Sequence, residues 1–304
     1  MVGEPFSDIL KLARAETLVT GGFTAGGPWS IRFPPPKTIK FFAVVKGRCW
    51  VRLDGEAPIE FTAGDVGLLS APVGFELASD PALPAVDAME LFSGAGRADV
   101  QIGDGSDFAH LGGHVLLDPT SGPVLGDVLP PWIHVRADRP EAGNFRWLLD
   151  RMTEERGGHL PGGDLASAQL AQLLFIQILR VHLAQTGTTR AGWLRALADP
   201  GVAPAIRLMH GEPARAWHLE DLAQACAMSR TSFAARFREV AGVAPLTYLT
   251  NWRMRLAERA LRDEPRRPVA LIAGAVGYAS ESSFSNAFKR VTGASPRSFR
   301  NTGA

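Results

Sequence analysis

Leu222 to Pro245, LAQACAMSRTSFAARFREVAGVAP, and Ile272 to Pro296, IAGAVGYASESSFSNAFKRVTGASP, are two copies of one pattern. Leu222-Ala223 aligns with Ile272-Ala273, and Ala225 with Ala275, at an offset of 50. From Ser229 onward the offset is 51, pairing Ser229 with Ser280, Phe233 with Phe284, Phe237 with Phe288, Gly242 with Gly293 and Pro245 with Pro296. The extra residue therefore belongs in the turn. Each copy predicts a short apolar helix, a tight turn, a serine N-cap, and a second helix whose phenylalanines lie four apart on one face. That order is helix-turn-helix grammar. Gly277 supplies a permissive turn residue in the second copy, where the first has Ala227. Stacked hairpins of a solenoid would also repeat, but such arrays generally need three or more copies to cover their apolar faces.

The segment between the copies, YLTNWRMRLAERALRDE from Tyr248 to Glu264, keeps Leu249, Trp252, Leu256, Ala257, Ala260 and Leu261 near helical spacing. One helix could hold both units in fixed relation. Charge points to a polyanionic partner. From Val202 to the end there are 15 basic and 8 acidic residues, a net of +7, against 17 and 23, a net of −6, in the first 201 residues; the overall +1 hides this division. A basic surface near a duplex releases condensed counterions and binds without reading sequence. Arg230, Arg236, Arg238, Arg253, Arg255, Arg266, Arg267, Lys289 and Arg290 are the candidates, the alternative for each being a solvated surface charge.

LEDLAQACAMSRTSFAARF, YLTNWRMRLA and IAGAVGYASESSFSNAFKRVTGASPRSFR together resemble the DNA-binding domain of the AraC/XylS family of bacterial transcription regulators. Phe299 stands where many relatives carry tyrosine. The resemblance implies two helix-turn-helix units, at about 219–238 and 269–290, each placing its second helix in a major groove. The residues so implied to contact DNA are Arg230, Thr231, Ala234 and Ala235 in the first unit, and Glu281, Ser282, Ser283, Asn286, Lys289 and Arg290 in the second. The alanines offer only apolar contact, for example to a thymine methyl. Asn286 can pair bidentately with adenine and Glu281 can accept from cytosine, so the second unit is expected to discriminate more bases. Leu219, Leu222, Ala223, Met228, Phe233, Phe237, Ile272, Ala273, Tyr278, Phe284 and Phe288 read as core, as do Trp217 and Trp252, with stacking as the alternative for the tryptophans. Cys226 suits a small buried hydrophobe in the first turn.

Upstream, 304 residues with 46% hydrophobic composition suffice for two ordinary domains. No run of about 18 apolar residues occurs, and Met1 to Leu10 lacks the pattern of a signal peptide, so a cytoplasmic protein without membrane contact is expected. Cys49 and Cys226 have no CxxC partners, which disfavours a disulfide framework or thiolate zinc site. From about Trp29 to Val135, IKFFAVV, CWVRLD, PIEFTA and DVGLLSA read as short strands separated by Gly, Pro and Asp, a rhythm that predicts a small all-β barrel or jelly roll. KGRCWVRLDGEAPIEFTAGDVGLLSAP resembles the cupin-type sensor domain of one branch of AraC-like regulators. Catalytic cupins usually hold a metal through histidines on the first strands, and none occurs between Ile39 and Asp80. His110 and His114 in HLGGH would share one face of a strand and could bind a metal, with Asp118 and His134 nearby in sequence; the alternative is ordinary polar histidines on a strand bent at Gly112-Gly113. No catalytic motif stands out, so no enzyme activity and no cofactor are expected.

DLASAQLAQLLFIQILRVHLAQ, from Asp164 to Gln185, predicts a long helix with Asp164 as N-cap, preceded by a helix around Asn144 to Glu155. Its apolar face is broad enough to pack on the barrel or on the same helix of a second subunit, and an isologous homodimer is expected. Gly187 to Gly201 reads as the hinge into the DNA-binding domain. The expected organisation is α+β and multidomain: a cupin-like β-barrel sensor over 1–140, a helical linker and dimerisation region over 141–201, and an all-α DNA-binding domain over 202–304. The function implied is a transcription regulator, an activator by resemblance, that binds an operator, answers to a small-molecule effector in the cupin-like domain and has RNA polymerase as a further partner. Its rivals are an effector-independent regulator whose β-domain only oligomerises, and a cupin metalloenzyme fused to a DNA-binding domain.

Overall fold

The computed structural model describes residues 4–92, 100–119, 121–158, 160–184 and 192–302, with backbone alone at Glu141 and Thr302. In chain order the elements are α1 (Pro5–Leu12), β1 (Glu16–Ala25), β2 (Ser30–Phe33), β3 (Ile39–Lys46), β4 (Arg48–Leu53), β5 (Ile59–Thr62), β6 (Val66–Leu69), β7 (Phe75–Ala78), β8 (Val86–Asp87), α2 (Ala88–Leu91), β9 (Val100–Ile102), β10 (Phe108–Leu116) and α3 (Pro123–Gly126). There follow β11 (Trp132–Val135), a 3-10 turn at Pro140–Ala142, α4 (Phe145–Gly157), α5 (Gly163–Ala184), α6 (Trp193–Ala198), α7 (Ala203–Gly211), α8 (Leu219–Ala225), α9 (Arg230–Ala241), α10 (Pro245–Asp263), α11 (Val269–Ala275), α12 (Glu281–Thr292) and α13 (Pro296–Thr302). Packing divides the described residues into two compact units, one of 16–117 and 129–184, the other of 4–15, 118–128 and 192–302.

The first unit is a β-sandwich. Its sheets, ordered β11-β6-β3-β10-β1-β9 and β5-β4-β7-β2-β8, are both open, so of the expected barrel or jelly roll it is the two-layered form, and not a closed barrel, that is found. Neighbours pair antiparallel except β1 with β9 and β2 with β8. Period-two alternation sends Phe42 and Val44 of β3 into the layer between the sheets, where they meet Phe23, Phe108, Val51, Phe61, Phe75 and Leu77. Ile39, Phe41 and Ala43, of opposite parity, are buried too. Helices cover that outer face, α4 packing on β3 and α5 on β1. Strand β3 therefore reads as an apolar run, apart from Lys40 and the exposed terminal Lys46, because both faces of its central part are covered.

Helix α5 begins at Gly163, so Asp164 lies in its first turn and is not the N-cap expected of it. Its buried stripe includes Ala171, Leu174, Phe175, Ile178 and Leu179, and Gln172 accepts a hydrogen bond from Thr17 of β1 at 2.8 Å. The linker and dimerisation helices of the linear reading thus pack as part of the sandwich unit.

The second unit is helical and draws on three stretches of chain. Residues 187–191 of the expected hinge lie outside the described residues. The start of the remaining stretch is core: Trp193, Leu194 and Ala196 are buried, Gly192 donates its N–H to Val240 O at 2.9 Å, and the Trp193 indole donates to Val124 O at 2.6 Å. Helix α1, for which the sequence offered no expectation, buries Phe6, Ile9, Leu10 and Leu12 and packs on α7 and α10. Asp118 joins it through its N–H to Ala13 O at 2.9 Å, and Arg262 donates to Asp118 at 2.8 Å. Burial works against the Asp118 carboxylate, yet Arg262 and Ser121 hold it well below the usual carboxylate range. Among the described residues no helix is long and apolar enough to cross a membrane.

Candidate nucleic-acid interface

Two helix pairs, α8–α9 and α11–α12, carry the repeat. Ser229 Oγ accepts the Ser232 N–H at 3.2 Å, and Ser280 Oγ accepts the Ser283 N–H at 3.2 Å, so each second helix is closed by the same side-chain cap. Residues 226–229 separate the first pair and 276–280 the second, which places the extra residue in the second turn. Both turns pass through the left-handed region, at Ala227 with φ of 52° and at Gly277 with φ of 83°. A Cβ on Gly277 would stand 2.5 Å from the Ala214 carbonyl oxygen, so only glycine fits.

Helix α10 ties the two units together. Its Leu249 belongs to the core of the first, with Phe233, Phe237 and Leu222. Met254, Ala257 and Leu261, further along the same helix, belong to the core of the second, with Phe284, Phe288 and Ile272. Because one rigid element lies in both cores, its length and twist set the separation and orientation of α9 and α12. Trp252 and Trp217 are both buried, in agreement with the core reading, and Trp252 stacks on His210 at 3.9 Å. Cys226 is half-buried at the end of α8.

The expected contact residues fall on the first turns of α9 and α12 and on the solvent faces that follow. Arg230, Thr231 and Ala235 are exposed while Ala234 is half-buried. Arg230 pairs with Glu220 at 2.7 Å, a bond between two exposed groups that competes weakly with a phosphate. On α12, Ser282, Asn286, Lys289 and Arg290 are exposed. Glu281 is half-buried and lies 3.6 Å from Arg297. The Ser283 hydroxyl donates to Ser280 O at 3.0 Å and accepts from Ser280 Oγ at 2.9 Å, so it is already engaged in the cap. Asn286 and Ser282 are the polar groups free to turn outward.

Of the other basic residues, several serve the fold. Arg236 pairs with Asp199 at 2.7 Å, Arg253 donates to the carbonyls of Pro213 and Arg215 at 2.6 and 2.7 Å, Arg255 pairs with the buried Glu258 at 3.0 Å, and Arg267 pairs with Glu264 at 3.1 Å. Arg238, Arg266, Lys289 and Arg290 have no carboxylate partner among the described residues. Sequence alone gave no sign of Asp199 or Glu220 as tethers, because each lies outside the helix that carries its arginine, Asp199 as many as 37 positions away.

The histidines of the sandwich do not assemble into a metal site. His110 is buried and stacked 4.8 Å from Phe23, with no hydrogen-bond partner at either ring nitrogen. His114 Nδ1 lies 2.8 Å from Thr38 Oγ1. His134 stacks on Phe61 at 3.8 Å and meets Asp65 at 3.3 Å, and Asp118 belongs to the other unit. Among the described residues no group of three or more histidine, cysteine or acidic side chains is placed to hold a metal.

Comparison with known proteins adds to this geometry. A family described as cupin matches residues 4–184, and one described as helix-turn-helix domain matches residues 222–302. The chain is 40% identical over 298 residues, 98% of each protein, to a putative AraC-like transcription regulator of Streptomyces lividans. It is 38% identical over the same length, again 98% of each, to a putative AraC-like transcription regulator of Streptomyces antibioticus. Over 118 residues, 39% of this chain and 41% of the relative, it is 42% identical to RclR of Escherichia coli, described as an RCS-specific HTH-type transcriptional activator.

Proposed function

The chain belongs to the AraC-like transcription regulators, and from that premise we propose that it reads a specific operator with α9 and α12 and is controlled by a small-molecule effector held in the cupin-type unit. The observation that carries the reading is the shared helix α10. It presents two capped second helices as one body, and two such helices suit successive major-groove segments about one helical turn apart. Nothing in this scheme calls for catalysis.

An effector in the sandwich is supported by polar groups left without protein partners. Lys40 Nζ lies 5.1 Å from the Phe33 ring and 5.6 Å from the Phe75 ring, has no carboxylate partner among the described residues, and is brought down to about 8 by burial. Both nitrogens of His110 are likewise unmet. A homodimer through α4 and α5 is supported by exposed Trp147, Leu160, Leu165 and Leu173 around those helices. The likeness to RclR, a transcriptional activator, supports activation, and RNA polymerase as a partner and a cytoplasmic location belong to the same proposal.

The decisive experiment selects bound sites from random duplex DNA with the full chain, over a salt series. A defined bipartite motif, with half-sites about one helical turn apart, is the expected result. Equal affinity for every duplex at moderate ionic strength would remove the reading.

A further inference from the structure

We propose that the cleft between the two helix-turn-helix units is a binding site for an amphipathic organic anion, and that its occupancy opposes DNA binding. The site is separate from the effector site proposed for the sandwich. Its volume is about 710 Å³, a size that takes a drug-sized molecule.

The walls come from parts of the helical unit remote in sequence. Val243 follows α9, Asn251, Trp252 and Arg255 project from α10, and Arg290 and Val291 close the end of α12. Trp193 and the 123–128 segment complete the apolar side. Two guanidinium groups, Arg255 and Arg290, and one carboxylate, Asp127, are the charged groups of the lining. Arg255 is already neutralised by Glu258 at 3.0 Å, whereas Arg290 has no carboxylate partner among the described residues. An aromatic or alicyclic body against Trp193, Val243 and Val291, an acidic group on Arg290 and a donor toward Asp127 would satisfy this arrangement.

The coupling to DNA follows from which elements meet there. An occupant touches the end of the first reading helix, the connecting helix and the end of the second at once, and so favours one spacing of the pair. It also draws on Arg290, an exposed residue of α12 available to a phosphate. Linkage then requires that DNA weaken the anion's binding by the factor with which the anion weakens DNA's.

The test uses the full-length protein and anilinonaphthalene sulfonate, an aromatic anion whose fluorescence rises on burial. Saturable binding is expected, weakened at least about tenfold by Arg290→Gln, the scale of one charge-assisted hydrogen bond. Asn251→Trp and Val243→Trp, which fill the cleft, should each abolish it. A duplex recovered by site selection should release the bound probe, and saturating probe should reduce the affinity of that duplex by the reciprocal factor. If Val243→Trp fails to fold, Asn251→Trp, at an exposed position, carries the test. Probe binding unmoved by filling the cleft overturns the site, and duplex affinity unchanged at saturating probe overturns the coupling. Either result leaves the operator selection intact, so this inference and the proposed function fail separately.

Discussion

Single side chains divide between those that face solvent for recognition and those whose burial makes them sensitive to solution conditions. Asn286 is exposed on α12 beside the capped first turn, and its amide offers both a donor and an acceptor to one base edge. Asn286→Ala should relax preference at one operator position, at a cost of about 1 to 3 kcal/mol, while leaving nonspecific affinity unchanged. Site selection with the variant checks this, and an unaltered motif would remove Asn286 from the interface. His110 is the opposite case. Burial, helped by the charge of Lys40, lowers it from 6.5 to about 3, so the folded protein keeps the ring neutral where the unfolded chain protonates it. Its stabilising share is whole above pH 6.5 and is lost as the pH falls toward 3. The full slope of one such proton is about 1.4 kcal/mol per pH unit. Denaturant titrations between pH 6 and pH 4 should show a shallower decline for His110→Phe than for the natural chain; parallel slopes would mean that His110 titrates normally.

At the level of elements, the two turns answer the same backbone demand with different residues. Ala227 and Gly277 both adopt positive φ, but only Gly277 sits against a backbone carbonyl. Gly277→Ala should cost roughly 1 to 3 kcal/mol through strain and displacement of the 214 segment. Ala227→Gly should be neutral or stabilising by up to about 1 kcal/mol, as relief of the left-handed strain outweighs the added freedom of the unfolded chain. Thermal melts of both variants test the asymmetry. Equal and opposite shifts are not expected, because the second turn is also the longer one. The repeated helices and the central strands were legible in the residues. The phenylalanine pairs, the serine caps and the strands IKFFAVV, CWVRLD, PIEFTA and DVGLLSA each rest on local periodicity or punctuation. β1 and α1 were not, since the first contains Gly21-Gly22 within its strand and the second precedes any repeated signal.

For the whole molecule, exposed Leu165 and Leu173 lie eight residues apart on α5 while Leu174, Ile178 and Leu179 face its own unit. The helix thus has an apolar face to spare. Replacing both Leu165 and Leu173 by aspartate should convert a dimer to a monomer in sedimentation velocity without lowering the melting temperature. A natural chain that sediments as a monomer at micromolar concentration would remove the dimer instead. The basic residues without carboxylate partners make a second prediction at this scale: affinity for a selected duplex should fall steeply with salt, and Lys289→Gln should lower the slope of log affinity against log salt by about one.

The residues by themselves determined that this chain carries two copies of a DNA-reading unit, how each copy is capped and which faces are core, because those features depend on neighbours a few positions away. They also determined the uneven charge that marks the C-terminal third. Only the tertiary structure decided which of the other arginines are available, since Asp199 and Glu220 reach theirs through packing, whereas Glu258 meets Arg255 by i,i+3 spacing on one helix. It alone brought the first helix and the 118–128 segment onto the DNA-reading unit and enclosed a cleft with them. The choice between a closed barrel and two open sheets was settled there for the same reason: strand propensity is local, whereas closure depends on which edges meet.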